Sequence, residues 1–171
     1  CLLVDHLLLS GTSLEAMDGF FYSYTIQHIS KEFDLLKFSS DCKKILNIEL
    51  KSVPVKQTDM EKQLLQNQHY LQHLSNNILS YVYVASENLL YTLDMKKGLI
   101  PCAFEHLVED MMSFGDVCRN DIDALFEASD YLISPLNTPE KFLNHNYFLT
   151  SQQEDFKNSI LCHLKDSDHS P

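Results

Sequence analysis

Between Thr58 and Lys97 the chain carries neither proline nor glycine, and this uninterrupted run most limits what it can fold into. The run opens on Thr58-Asp59-Met60-Glu61, a capping-box pattern in which a threonine hydroxyl and a glutamate carboxylate satisfy free amides at a helix start. Leu64, Leu71, Leu74, Ile78, Tyr81, Ala85 and Leu89 then follow at helical steps, with Asn67 filling one position of the seam. Gly98 after Lys96-Lys97 reads as a helix stop, because glycine takes the left-handed terminal conformation and lysines suit the negative helix end; Pro101 follows. The pattern predicts a helix of about 40 residues, roughly 60 Å long, with Ser75-Asn76-Asn77 as the place for a kink.

The rest of the chain reads the same way. With 4 glycines and 5 prolines in 171 residues there is too little turn material for a collagen, a flexible linker or a loop-rich all-β sandwich. Ser10-Gly11 breaks the early apolar run, and Thr12-Ser13-Leu14-Glu15 is a second capping box. Tyr22, Ile26, Ile29, Phe33 and Leu36 recur at steps of four and three, widened by Met17, Phe21 and Tyr24, which predicts a helix over 12–38. Over 45–55, Leu46, Ile48 and Leu50 alternate like a strand, whereas Pro54 opposes a central one; the segment is read as a short helix and a loop. Shorter helices are predicted over 101–114, 120–133, 138–146 and 151–164, and a disordered tail over 165–171. The expected fold class is all-α: a helical bundle or a short irregular helical solenoid built around one long, kinked or straight helix. It forms a single domain over 1–164, with 1–56 and 57–164 as its natural sub-parts.

Charge narrows the partners. The formal charge is −11, and Arg119 is the single arginine, so phosphate backbones and anionic lipid surfaces are poor ligands. Glu105, Glu109, Asp110, Asp116, Asp121, Asp123, Glu127 and Asp130 face one base, Arg119, and form a candidate surface for a basic or amphipathic-helical partner. Tyr81, Tyr83 and Tyr91 are candidate anchors of an apolar interface, competing with a plain core role. Cys1, Cys42, Cys102, Cys118 and Cys162 form an odd set without a Cys-x-x-Cys pair, which points to reduced thiols rather than a disulfide framework or zinc knuckle. The sequence contains no Asn-x-Ser/Thr sequon, and residues 2–9 are too short and too polar for a membrane span or a good signal core. An intracellular location, nuclear or cytoplasmic, is expected. A start at Cys1 directly before that apolar run suggests a piece of a longer protein.

Motifs for catalysis or metal binding fail on inspection. His69 and His73 have the one-turn spacing of zinc ligands, but Tyr70 stands where a zinc protease needs glutamate. His106 with Glu109 and Asp110 matches neither the inverted zinc motif nor a di-iron pair. Residues 116–127 have acids at both ends of a calcium loop, but Cys118 and Asp121 stand where it needs an oxygen ligand and a glycine. Neither a phosphate loop nor a nucleophile elbow occurs in the sequence. No enzyme, no metal and no cofactor is therefore expected. Leu107, Met111, Phe114, Gly115, Asp116 and Cys118 resemble a BH3 segment of the Bcl-2 death-regulator family, which would imply a helix lying in a partner's groove, although Met112 replaces the usual arginine. Ser134-Pro135 and Thr138-Pro139-Glu140-Lys141 resemble cyclin-dependent-kinase sites, which makes Ser134 and Thr138 candidate phosphosites. These readings converge on a non-catalytic scaffold or adaptor domain that binds another protein through an apolar groove and an acidic flank. A secreted four-helix cytokine-like ligand is the alternative, and an enzyme with an unrecognised site stands third.

Overall fold

The computed structural model describes residues 2–27, 29, 31–94, 96–127, 131, 156, 159 and 160. The chain divides into two compact units, Cys1–Tyr131 and Leu132–Pro171. In the second, Phe156, Ser159 and Ile160 are helical.

The first unit is built on a six-stranded sheet whose order is the order of the chain. The strands are β1 (Phe20–Ile26), β2 (Lys31–Phe38), β3 (Lys44–Lys51), β4 (Asn77–Val84), β5 (Leu89–Asp94) and β6 (Gly98–Cys102), with helices α1 (Leu2–Leu9), α2 (Gln57–Leu71) and α3 (Phe104–Met112). All neighbours are antiparallel except β3 and β4, which pair in parallel from Lys44↔Asn77 to Lys51↔Val84. A parallel pair needs a long crossover, and α2 supplies it.

Alternation along β4 sets the layers. Val82 and Val84 pack against Met60 and Leu64 of α2, with Leu99 from β6. Tyr81 and Tyr83 point the other way, into a cluster with Leu46, Ile48 and Leu90, closed by Leu3 and Leu7 of α1 and by Leu107, Val108 and Met111 of α3. A third cluster joins Ile26, Phe33, Leu36, Phe38 and Ile45 to Tyr70 and Leu71 at the end of α2, and to Ile122 and Phe126. Burial of each such side chain contributes about 1.5–3 kcal/mol.

This sheet overturns the all-α expectation, whether as helical bundle or as solenoid. The 40-residue helix is α2 as far as Leu71 and then a hairpin, β4 and β5. Residues 78–84 are apolar except Ser80, and rich in β-branched and aromatic side chains; covered on both faces, such a run is a central strand, and its steps of three and four are coincidental. Residues 20–26, Phe-Phe-Tyr-Ser-Tyr-Thr-Ile, are rich in aromatic and β-branched side chains and form the edge strand β1, paired with residues 31–38 as β2. The 45–55 alternation is β3, and Pro54 lies beyond its end. Gly98, at φ +75°, ends no helix. It completes the β5–β6 turn, in which the Asp94 carboxylate accepts the Lys96 and Lys97 amides, both at 2.8 Å. The positive φ is what calls for glycine here; a Cβ would also come within 2.8 Å of the Glu61 carboxylate, the movable end of a long side chain. Of the helices predicted downstream, 101–114 shrinks to α3 because Pro101 and Cys102 belong to the edge strand β6, and the described residues of 120–127 hold one short turn, Asp123–Leu125. The 138–146 helix and the 165–171 tail lie outside the described residues, as does most of 151–164.

Candidate functional site

α1 is apolar around most of its circumference. Leu3 and Leu7 are buried against the sheet and α3, which leaves Leu2, Val4, Leu8 and Leu9 exposed, Leu9 at 83%. Beside the helix a cavity of about 70 Å³ opens among Leu3, Val4, Leu7, Phe20, Tyr22 and Met111; Tyr22, 70% exposed, stands at its rim. α3 lies alongside, with the His6 ring stacked on Phe104 at 5.1 Å. The outer face of α3 carries Glu105, Glu109 and Met112, all exposed. An apolar strip flanked by carboxylates results.

Below it is a second, more polar cavity of about 180 Å³, lined by Ser13, Glu15, Ala16, Lys37, Met111 and Gly115. Lys37 is buried, yet its ammonium is well held: Nζ donates to the carbonyls of Ala16 at 2.6 Å and Asp18 at 2.9 Å, and lies over the rings of Phe20 and Phe114. Burial lowers its pKa, against the pull of Asp18. The ammonium ties the segment before β1 to the sheet.

On the α2 side of the sheet Glu49 is buried and acts as an acceptor for two helix side chains, Asn67 Nδ2 at 2.6 Å and Gln63 Nε2. Lys51 Nζ is 3.7 Å from the same carboxylate. Desolvation, then Asp34, raises the Glu49 pKa, opposed by the Asn67 hydrogen bond and by Lys31 and Lys51. The Asn47 amide, Asn67 Oδ1 and the Ser80 hydroxyl are buried nearby without a hydrogen-bond partner among the described residues; Asn47 and Ser80 are register partners on β3 and β4.

The seven described acids of the eight read from the sequence do not form one surface. Glu105 and Glu109 share the face of α3, whereas Asp110 turns inward and accepts the Tyr81 hydroxyl. Burial and then Asp110 push the Tyr81 phenol far above its usual pKa; burial and the same carboxylate bring the Cys102 thiol to about 11. Asp116 is exposed and its carbonyl accepts the Ser40 amide. Asp121 caps the amide of Asp123, and Asp123 accepts the Tyr24 hydroxyl and the Gln27 amide, both at 2.9 Å. Burial and Asp123 raise the Tyr24 pKa. Glu127 is exposed, and Asp130, Ser134 and Thr138 lie outside the described residues. Arg119 is paired with Asp18 at 2.7 Å.

Tyr81 and Tyr83 lie in the core, and Tyr91 is half-buried against the Val82–Leu99 cluster. The BH3-like residues Leu107, Met111 and Phe114 are buried against the sheet, so their anchors already have an occupied groove. His69 and His73 lie edge to face at 6.1 Å, His73 against Tyr131. Among the described residues, no group of three or more His, Cys, Asp or Glu residues could hold a metal ion, and no helix is long and apolar enough to cross a membrane.

Lys37 and Glu49 have no mark in the sequence patterns above, and Asn67 stands there only as one position of the helical seam, not as a partner of a buried carboxylate. A lysine or glutamate inside an apolar run such as Phe33–Phe38 or Ile45–Leu50 is the signal that could have found the first two, once the segment is read as a strand.

Together these features define a mixed α/β sheet covered by helices on both faces, with an apolar and acidic strip across α1 and α3. Comparison with protein-family models, with curated proteins and with solved structures finds no match for this chain.

Proposed function

We propose that this chain is a non-catalytic protein-binding module of a larger intracellular protein, which takes a basic amphipathic helix of its partner across α1 and α3. The observation that carries it is the exposed apolar side of α1, with Leu8 and Leu9 in solvent next to an apolar cavity. A helix of only eight residues that buries two leucines and exposes four large aliphatic side chains leaves a face which association would cover. Glu105 and Glu109 at its flank suit lysines or arginines spaced one turn apart on the incoming helix.

The test is NMR titration of the chain with two synthetic helical peptides, one leucine/lysine and one leucine/glutamate, at low and raised salt. The lysine peptide is expected to shift the resonances of Val4, Leu8, Leu9, Glu105 and Glu109, and to bind more weakly as salt rises. Leu8→Asp and Glu105→Lys should each weaken it, the second with loss of salt dependence. Equal binding of both peptides, or shifts confined to other faces, would refute the reading.

A further inference from the structure

After α3 the chain returns to the sheet and runs beside the end of β2. Cys118 N donates to Phe38 O and Ser40 N to Asp116 O, both at 3.0 Å, around a bridge between Ser39 and Val117. The β2–β3 turn folds back over the same place: Cys42 N donates to Ser39 O at 2.9 Å, and Cys42 takes a φ of +56°. Both side chains pack on the cluster of Ile26, Phe33 and Phe38, both are half-buried, and both are free thiols. The Cys118 thiol is a near neighbour of the Cys42 thiol and also reaches the Asn120 carbonyl, at 4.0 Å.

We propose that Cys42 and Cys118 form a redox-responsive thiol pair, which a peroxide converts to an intramolecular disulfide. The Cys118 thiolate attacks one peroxide oxygen, the O–O bond breaks, and protonation of the leaving hydroxide gives water and a sulfenic acid at Cys118. The Cys42 thiolate then attacks that sulfur, the S–S bond forms, the S–O bond breaks, and the released hydroxide takes up a proton as a second water. Two thiols lose two electrons and two protons; one peroxide becomes two waters. Thioredoxin-type dithiols reverse the bond by exchange. Burial and the neighbouring Cys118 raise the Cys42 pKa, so contact rather than intrinsic acidity favours this partner. The bond ties the β2–β3 turn to the segment after α3 and closes a loop of about 75 residues, which restricts the unfolded chain enough to raise Tm by roughly 10 °C.

The experiment treats the reduced full chain with stoichiometric hydrogen peroxide, counts thiols, and maps non-reduced peptides by mass spectrometry. The expected product is a monomer that has lost two of its 5 thiols, joined Cys42 to Cys118, and melts higher until reduced. Cys42→Ser and Cys118→Ser should each abolish the link and the Tm gain, and Cys102→Ala should keep both; circular dichroism of the reduced variants verifies folding. Linkages scattered over several cysteines, links between chains, or sulfinic acid at Cys118 with Cys42 still reduced would each overturn the proposal.

Discussion

Replacing Asn67 by aspartate changes one atom type in a side chain that has no exposure, and converts a donor to Glu49 into a second carboxylate. The Asn67 Nδ2 to Glu49 Oε1 distance is 2.6 Å, so the two charge centres would lie about 4 Å apart. At an effective dielectric constant of about 20 their repulsion is about 4 kcal/mol, and the lost hydrogen bond to a charged acceptor adds about 1.5–3 kcal/mol. The sum, about 5–7 kcal/mol, is comparable with the whole stability of an ordinary domain. A proton relieves it, because a protonated carboxyl of the introduced residue donates to Glu49 as the amide did. The pair's folded pKa is raised above the unfolded value near 4, so stability present at low pH is lost as pH rises through the folded pKa. Urea unfolding of Asn67→Asp followed by circular dichroism should show the full deficit at pH 8 and recovery of most of it toward pH 5. Asn67→Ala, which loses only the donor and a little volume, should lose about 2–4 kcal/mol with a much flatter pH profile. A deficit for Asn67→Asp that is the same at pH 8 and pH 5 would refute the buried-pair reasoning.

Three further outcomes follow from the same contacts. Glu49 in the native protein has a raised pKa, so it too withdraws stability as pH climbs; Glu49→Gln, measured by urea unfolding between pH 4 and 8, should flatten that slope. Tyr81→Phe removes the hydroxyl that binds Asp110 and should cost about 1.5–3 kcal/mol in chemical denaturation, while an ultraviolet titration of the variant loses one of the last phenols to ionise. Gly19→Ala places a Cβ 2.5 Å from Val117 Cγ2 at a φ of +76° and should cost about 1–3 kcal/mol by thermal melting; adding Val117→Ala should return part of it, the backbone share remaining.

Helix α2 and the core of α3 were legible, since Leu64 with Leu71 and Leu107 with Met111 mark single buried stripes. The sheet was not. Leu74, Ile78 and Tyr81 prolonged the α2 spacing past Ser75, while the stronger signal, an almost unbroken apolar and β-branched run at 78–84, carries no period of its own because both faces of β4 are covered. Asp94 and Gly98 share their chemistry with helix ends, and which they serve depends on whether the flanking residues pair across the turn. Among the candidate residues, the acidity of α3 was visible in the sequence, but the inward turn of Asp110 was not, because it depends on Tyr81 across the sheet. The exposed leucines of α1 had no mark either: a run apolar on all sides reads as buried until the fold shows that one side lacks a cover.

Because sheet order equals chain order, most pairing in this unit joins residues that are already neighbours along the chain. β1, β2 and β3 can zip from their own turns, and so can β4, β5 and β6. Among the six strands, one seam, β3 against β4, requires a long loop to close before its contacts repay the lost freedom. The kinetic barrier is thereby concentrated at one join, where Met60 and Leu64 arrive with Val82 and Val84 and where the Glu49 carboxylate must shed its water. Two locally assembled halves that wait for one desolvation step make folding speed a property of that seam rather than of the sheet's size.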